Sequence, residues 1–181
     1  MKSIYIRLRN LSFIGLLFLQ TNQVFSQKKN TSKQSSYACL PCGQDCDKDT
    51  YSEQGVCSHC HMKLVNRSTI TFATIQPDEI CSYIQKHPGV VLLDCRTKEE
   101  FEGRADPDFG TLQNAINIPI QEIESRLGSI NSLKKKRIIV FCSHSHRSPQ
   151  VAYLLTQNGF KKVLNMAGGM HIMTDNNCKK K

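Results

Sequence analysis

Two runs of the chain are apolar without a break, and each ends on a residue with chemistry to offer. "GVVLLDC" (residues 89–95) delivers Asp94 and "RIIVFC" (137–142) delivers Cys142. Runs of this kind, lacking polar alternation, suit strands covered on both faces, the habit of parallel sheets. Parallel strands need crossovers, and helical signals alternate with strand signals from about residue 70 onward. "TFATI" (71–75) reads as a short strand. Pro77 opens a helix, with Asp78 and Glu79 in its first turn. "TKEEF" (97–101) reads as a helical turn, "AINIP" (115–119) as a strand, and 120–127 as a short helix. Residues 148–158 carry an amphipathic pattern closed by Gly159, and "KVLN" (162–165) is the last strand, before Gly168 and Gly169. The expected fold is α/β, a parallel sheet flanked by helices. Ligands of such sheets sit at the carboxyl ends of the strands, where Asp94 and Cys142 fall.

The stretch after Cys142, "SHSHRS", lies between a strand and a helix, so the backbone must turn tightly. Helix N-termini carry unpaired N–H donors and partial positive charge. A thiol held there has a depressed pKa and becomes a thiolate near neutral pH. Cys142 is the expected nucleophile. Ser143, His144, Ser145, His146 and Ser148 are expected to line the substrate cradle, and Arg147 to grip an oxyanion with its guanidinium fork.

In this context residues 72–174 resemble a rhodanese domain, the sulfurtransferase fold. The resemblance rests on "LLDCRTKEEF" (92–101), "GTLQNAINIP" (110–119), "CSHSHRS" (142–148) and "MAGGM" (166–170), all in family order. It implies sulfur transfer through a Cys142 persulfide, from a donor such as thiosulfate to a thiol or cyanide. It also implies supporting roles for Asp94, as a hydrogen-bond partner of the loop, and for Arg96, paired with a carboxylate such as Glu100. The chain departs from the family at Thr111, where His is usual, and at Asn114 and Ser145, where Gly is common. Met173 stands where Trp is frequent. A positive φ at Ser145 would cost about 1 kcal/mol. The related cysteine phosphatases and some arsenate reductases of this fold carry Cys-x5-Arg, whereas Cys142 to Arg147 is Cys-x4-Arg. The shorter loop favours sulfur over phosphoryl transfer. A metal-binding or sensor protein without catalysis is the other reading.

Five of the nine cysteines crowd between Cys39 and Cys60. Cys39-x2-Cys42 and Cys57-x2-Cys60 form two knuckles suited to a tetrahedral thiolate site for zinc or copper, in a zinc-ribbon-like module over 37–66. Cys46, His59 and His61 are spare ligands. Residues 37–65 also resemble the small heavy-metal-binding module of efflux systems, with Cys42 at the usual His and His61 at a usual Gly. Two disulfides are the competing reading. Few large apolar residues lie in this stretch, so it needs staples to fold, and a core separate from that of residues 70–174 is expected.

The N-terminus has the form of an export signal: Lys2, Arg7 and Arg9, then "LSFIGLLFL", then small residues before Gln27. That apolar run is too short to span a bilayer, so residues 1–26 are expected to be cleaved, with a linker over 27–36 and the mature protein in the periplasm without a stable membrane anchor. The formal charge of +9 falls to +6 on cleavage, from 21 basic and 15 acidic side chains. The basic knots, including the tail 175–181, have no interleaved aromatics and do not suggest nucleic-acid binding. Expected partners are a small sulfur donor, a thiol or cyanide acceptor, and a redox or metal-handling protein. An oxidising compartment pairs cysteines, and an odd count leaves one thiol over.

Overall fold

A computed structural model describes residues 36–180. The expected export signal, 1–26, and nearly all of the expected linker lie outside the described residues. Among the described residues, no helix is long and apolar enough to cross a membrane.

Two short strands, β1 (Tyr37–Ala38) and β2 (Val65–Asn66), pair antiparallel and bring the ends of the cysteine-rich segment together. The α/β part follows: β3 (Ala73–Ile75), α1 (Ile80–Lys86), β4 (Val91–Asp94), α2 (Lys98–Phe101), β5 (Ile116–Asn117), α3 (Ile123–Arg126), β6 (Arg137–Phe141), α4 (Arg147–Gln157) and β7 (Lys162–Met166). The sheet has the order β3-β7-β6-β4-β5, with every pair parallel. The two unbroken apolar runs become β4 and β6, neighbours near the middle of the sheet. Each is buried beyond its first residue. Asp94 lies opposite Phe141 in that ladder, so the two strands end level.

The cysteine-rich segment does not have a core of its own. Cys39, Leu40, Cys42, Cys46, Cys57, Met62 and Leu64 belong to one buried cluster with Phe72, Leu93, Val140, Val151 and Leu155. The reason lies in the segment's size, since some thirty residues bury too little apolar surface alone. Its apolar residues are completed by the face of the sheet and α4. On the other face, Ile80, Leu92, Ile139, Phe141, Met166 and Met173 pack together. Cys81 and Cys178 form the one disulfide among the described residues, tying α1 to the C-terminal tail.

Candidate active site and thiolate cluster

Cys142 follows the last residue of β6 and is 1 % exposed. The chain then bends through Ser143–His146 into α4, whose N-terminus faces the sulfur. Ser145 takes φ 56°, the left-handed conformation that a family glycine would adopt without strain, and Asn114 does likewise at φ 59°. The loop is clamped from behind by the turn after β7. Met170 N–H donates to Cys142 O at 2.9 Å, and His171 N–H to Ser143 O at 3.0 Å. A Cβ at Gly169 would overlap the Ser143 carbonyl, so glycine is required for this approach.

The thiol of Cys142 is held as a thiolate. The neighbouring Cys95 thiol, which donates to Phe141 O at 3.3 Å, favours the anion most, and the Ser148 hydroxyl, 3.5 Å away, and the backbone amides of Ser148 and Arg147 add to this. Together they outweigh burial and lower Cys142 to about 4. Cys95 itself is pushed well up, by burial first and by the neighbouring Cys142 second.

Three supporting contacts differ from expectation. Arg96 pairs with Asp94 rather than Glu100: Nε and Nη2 reach the Asp94 carboxylate at 3.0 and 2.6 Å, both side chains fully buried. Asp94 therefore holds Arg96 and the Thr111 hydroxyl (3.0 Å) instead of bonding the loop. Two-residue spacing on a strand end folds Arg96 back onto Asp94 before it can reach α2. Glu100 takes over the loop. It closes the capping box of α2 with Thr97, accepts from the Ser143 hydroxyl at 2.9 Å, and accepts from both Arg147 fork nitrogens at 2.6 Å. Arg147 holds Glu100 down to about 2. The fork expected to grip a substrate oxyanion is thus engaged within the protein.

The sulfur atoms of Cys39, Cys46, Cys57 and Cys60 all lie within 4.8 Å of one another. Cys46 stands where Cys42 was expected. The 3-10 turn Asp45–Lys48 swings Cys46 inward. The Asp47 carboxylate pins Cys42, accepting from its backbone N–H at 2.9 Å and lying 3.3 Å from its sulfur. Cys42 instead joins a smaller group with Cys46 and Asp47. His61 is exposed with φ 56°, serving as a backbone stand-in for the glycine of the resembling module, and His59 is exposed too. Burial opposes ionisation of Cys57, but the amides of Cys60 and His59 bring it down to about 6. Four converging sulfurs fit a tetrahedral thiolate metal.

Asn165, on β7 and fully buried, joins the two sites. Its side-chain N–H2 donates to Pro41 O in the first knuckle at 2.9 Å and to Ser145 Oγ at 3.1 Å. Gly168 N–H also reaches Cys42 O at 3.3 Å. Neither Asn165 nor Cys95 was marked by any sequence pattern, although Cys95 lies inside the Asp-x-Arg segment.

A parallel α/β sheet that delivers a thiolate from a strand end into a strand–loop–helix cradle defines a cysteine-dependent group-transfer domain. The Rhodanese-like domain family matches residues 77–173, more than half of the chain, and the protein belongs to it. A sulfurtransferase of Allochromatium vinosum is 32 % identical over 96 residues, covering 53 % of this chain and 82 % of that protein. A Bacillus subtilis protein named as a sulfur carrier is 32 % identical over 83 residues, 46 % of this chain and 40 % of its own length. A tRNA uridine(34) hydroxylase of Legionella pneumophila is 27 % identical over 138 residues, 68 % of this chain and 52 % of that one. The chain thus spans about half or less of two of these three relatives. In structure, a Rhodopseudomonas palustris protein described as a possible tyrosine phosphatase superposes with TM-score 0.51 at 19 % identity, over 61 % of this chain and 85 % of that chain, which shows the fold alone.

Proposed function

We propose that the protein is an exported sulfurtransferase that moves a sulfane sulfur through a persulfide on Cys142. The observation that carries this reading is the placement of Cys142 at the end of β6, buried against the start of α4 and 3.5 Å from the Ser148 hydroxyl, a setting that lowers its pKa to about 4. The thiolate attacks the outer sulfur of a donor such as thiosulfate. The donor S–S bond breaks, sulfite leaves with that electron pair, and Cys142 retains the sulfur. Cyanide or a thiolate then attacks the outer persulfide sulfur, and Cys142 leaves as thiolate. The loop amides stabilise the anionic sulfur at both stages. The four-residue spacing from Cys142 to Arg147 supports sulfur over phosphoryl transfer.

Cys39, Cys46, Cys57 and Cys60 would hold zinc or copper, which would supply structural cross-linking to a segment poor in apolar residues. The Cys81–Cys178 disulfide supports export to an oxidising compartment, the periplasm. The four-sulfur cluster also favours a second reading, a metal-handling protein in which the rhodanese domain does not turn over.

Mass spectrometry after thiosulfate separates the two. A gain of one sulfur atom on Cys142, removed by cyanide and absent from Cys142→Ser, is expected. Cys142 staying unmodified in folded protein would refute sulfur transfer.

A further inference from the structure

A short set of bonds through β7 and the turn after it fixes the catalytic loop to the first cysteine knuckle. The Asn165 amide has two N–H groups and divides them: one reaches Pro41 O at 2.9 Å and the other Ser145 Oγ at 3.1 Å. A carbonyl oxygen can only accept, so the Pro41 bond fixes which end of the amide is nitrogen. Asn165 and Ser145 are both fully buried, where a hydroxyl without a partner is costly. A second line runs alongside. Gly168 N–H donates to Cys42 O, and the residues that follow hold the loop, Met170 N–H bonding Cys142 O and His171 N–H bonding Ser143 O. The approach is close: a Cβ at Gly43 would lie 3.0 Å from Gly168 N and 3.1 Å from the Ala167 Cβ.

Pro41 and Cys42 lie between Cys39 and Cys46, two of the four converging sulfurs. The carbonyls that anchor the loop therefore sit inside the segment that a thiolate metal would cross-link. The family match begins at residue 77, so these anchors lie outside the shared domain. The loop needs them. Ser145 takes φ 56°, a left-handed conformation that is strained for any residue with a side chain and persists only where its surroundings impose it.

We infer that the four-sulfur site regulates the sulfur-transfer site, with Asn165 as the positioning residue between them. The inference rests on the sulfurtransferase reading and gives the loop two conformations. With Cys39, Cys46, Cys57 and Cys60 cross-linked, the Pro41 and Cys42 carbonyls are fixed, Asn165 keeps Ser145 left-handed, and the amides opening α4 face the Cys142 sulfur. With the cluster unlinked, the two carbonyls move off, the Asn165 amide loses its fixed orientation, and Ser145 relaxes to the ordinary backbone region, turning the loop amides away from the sulfur. Coupling between two sites is reciprocal, so a change that frees the loop from Asn165 also weakens the metal end.

The test uses the full chain, with zinc alone as the probe. The rate at which thiosulfate places a sulfur on Cys142 is followed by mass, with zinc bound and after chelation, at a temperature where circular dichroism shows the chelated protein folded. Chelation should slow loading about tenfold, the worth of roughly one hydrogen bond. In Asn165→Ala, loading should be slow with or without zinc, and zinc affinity, measured by competition with a chromophoric chelator, should fall about tenfold. Adding Ser145→Gly to Asn165→Ala should restore part of the loading rate, because glycine takes the left-handed conformation without support. An Asn165 that merely fills space would slow both forms equally and leave zinc affinity at the parent value. Equal loading of the zinc-bound and chelated parent, an unchanged zinc ratio in folded Asn165→Ala, or a chain that binds no zinc would overturn the coupling and leave sulfur transfer standing. Should the chelated protein unfold, the zinc affinity of Asn165→Ala decides alone, and an unchanged value overturns the coupling. A zinc-bound parent that never gains sulfur on Cys142 would overturn the sulfurtransferase reading itself.

Discussion

Cys95 and Cys142 stand side by side at the ends of neighbouring parallel strands, and the Cys95 thiol, which donates to the Phe141 carbonyl at 3.3 Å, is the neighbour that most favours the Cys142 anion. Asp94 is the register partner of Phe141, and Cys95 N–H donates to Phe141 O at 3.0 Å, so the next residues along both strands are the two cysteines. Both are buried. A thiolate in a dry site is favoured by every donor it keeps. Cys95→Ala should therefore raise the Cys142 pKa from about 4. The rate of iodoacetamide alkylation of Cys142, followed from pH 4 to 9, should be nearly flat above pH 5 in the parent and fall several-fold at pH 5 in the variant. Identical profiles would show that the amides of α4 suffice.

Glu100 binds its loop only as a carboxylate. Its pKa is lowered to about 2, chiefly by Arg147. A depressed folded pKa means stability that is fully present above the ordinary carboxylate value and is lost as pH falls through the folded value. Urea unfolding of the parent should thus weaken progressively from about pH 4.5 toward pH 2. Glu100→Gln should be less stable at pH 7 and should show a shallower acid dependence. A parallel acid dependence in both proteins would remove Glu100 as its source.

The Asp94–Arg96 pair is closed to solvent on both sides. Removing one partner leaves a buried charge without compensation, which costs about 3–5 kcal/mol. Asp94→Ala should therefore lower stability by about that amount, and Asp94→Ala/Arg96→Met should recover much of it. Denaturant midpoints measure both. A single variant within about 0.5 kcal/mol of the parent would mean that water reaches Arg96.

The thiolate cluster separates Cys46 from Cys42. Zinc content should fall strongly in Cys46→Ser and be retained in Cys42→Ser, measured by elemental analysis of the folded variants. Because the cluster shares its apolar core with the sheet, chelation should lower the midpoint of one unfolding transition rather than melt a separate module. Loss of zinc in Cys42→Ser alone would restore the ligand set read from the two-knuckle spacing.

The sheet was legible because burial on both faces leaves an unmistakable pattern: β4 and β6 are the two unbroken apolar runs. Cys142 was legible for the same reason, since a strand end followed by an amphipathic helix locates a cradle. Ser145 and Asn114 were marked by the glycines they replace. The partners of Arg96 and Arg147 were not legible, because either arginine could reach Glu100 by sequence distance, and only the backbone at the end of β4 decides which folds back. Cys46 lost to Cys42 in the sequence reading because two tidy knuckles outrank a lone cysteine. A four-residue 3-10 turn and the Asp47 carboxylate reverse that order. Asn165 carries no pattern at all; its role follows from a neighbour 124 residues away.

The Cys81–Cys178 bond joins residues 97 apart and makes most of the catalytic part a covalent ring. Asp94, Glu100, Cys142, Arg147 and Asn165 all lie on the ring; the four-sulfur cluster hangs outside it. In the chain-entropy account, closing a loop of this size removes about 4.7 kcal/mol of freedom from the unfolded chain. The tail is then laid down by backbone bonds, Gln113 N–H to Cys178 O and Lys180 N–H to Thr111 O, beside the residue that steadies Asp94. A single backbone cut anywhere on the ring opens it without releasing a fragment, so the nucleophile and its supporting carboxylates stay on one molecule. A cut between the cluster and residue 81 severs the chain carrying the four sulfurs from the ring instead. Proteolytic damage is thereby sorted by place: ring cuts leave both halves tethered, and only those before Cys81 or after Cys178 divide the protein.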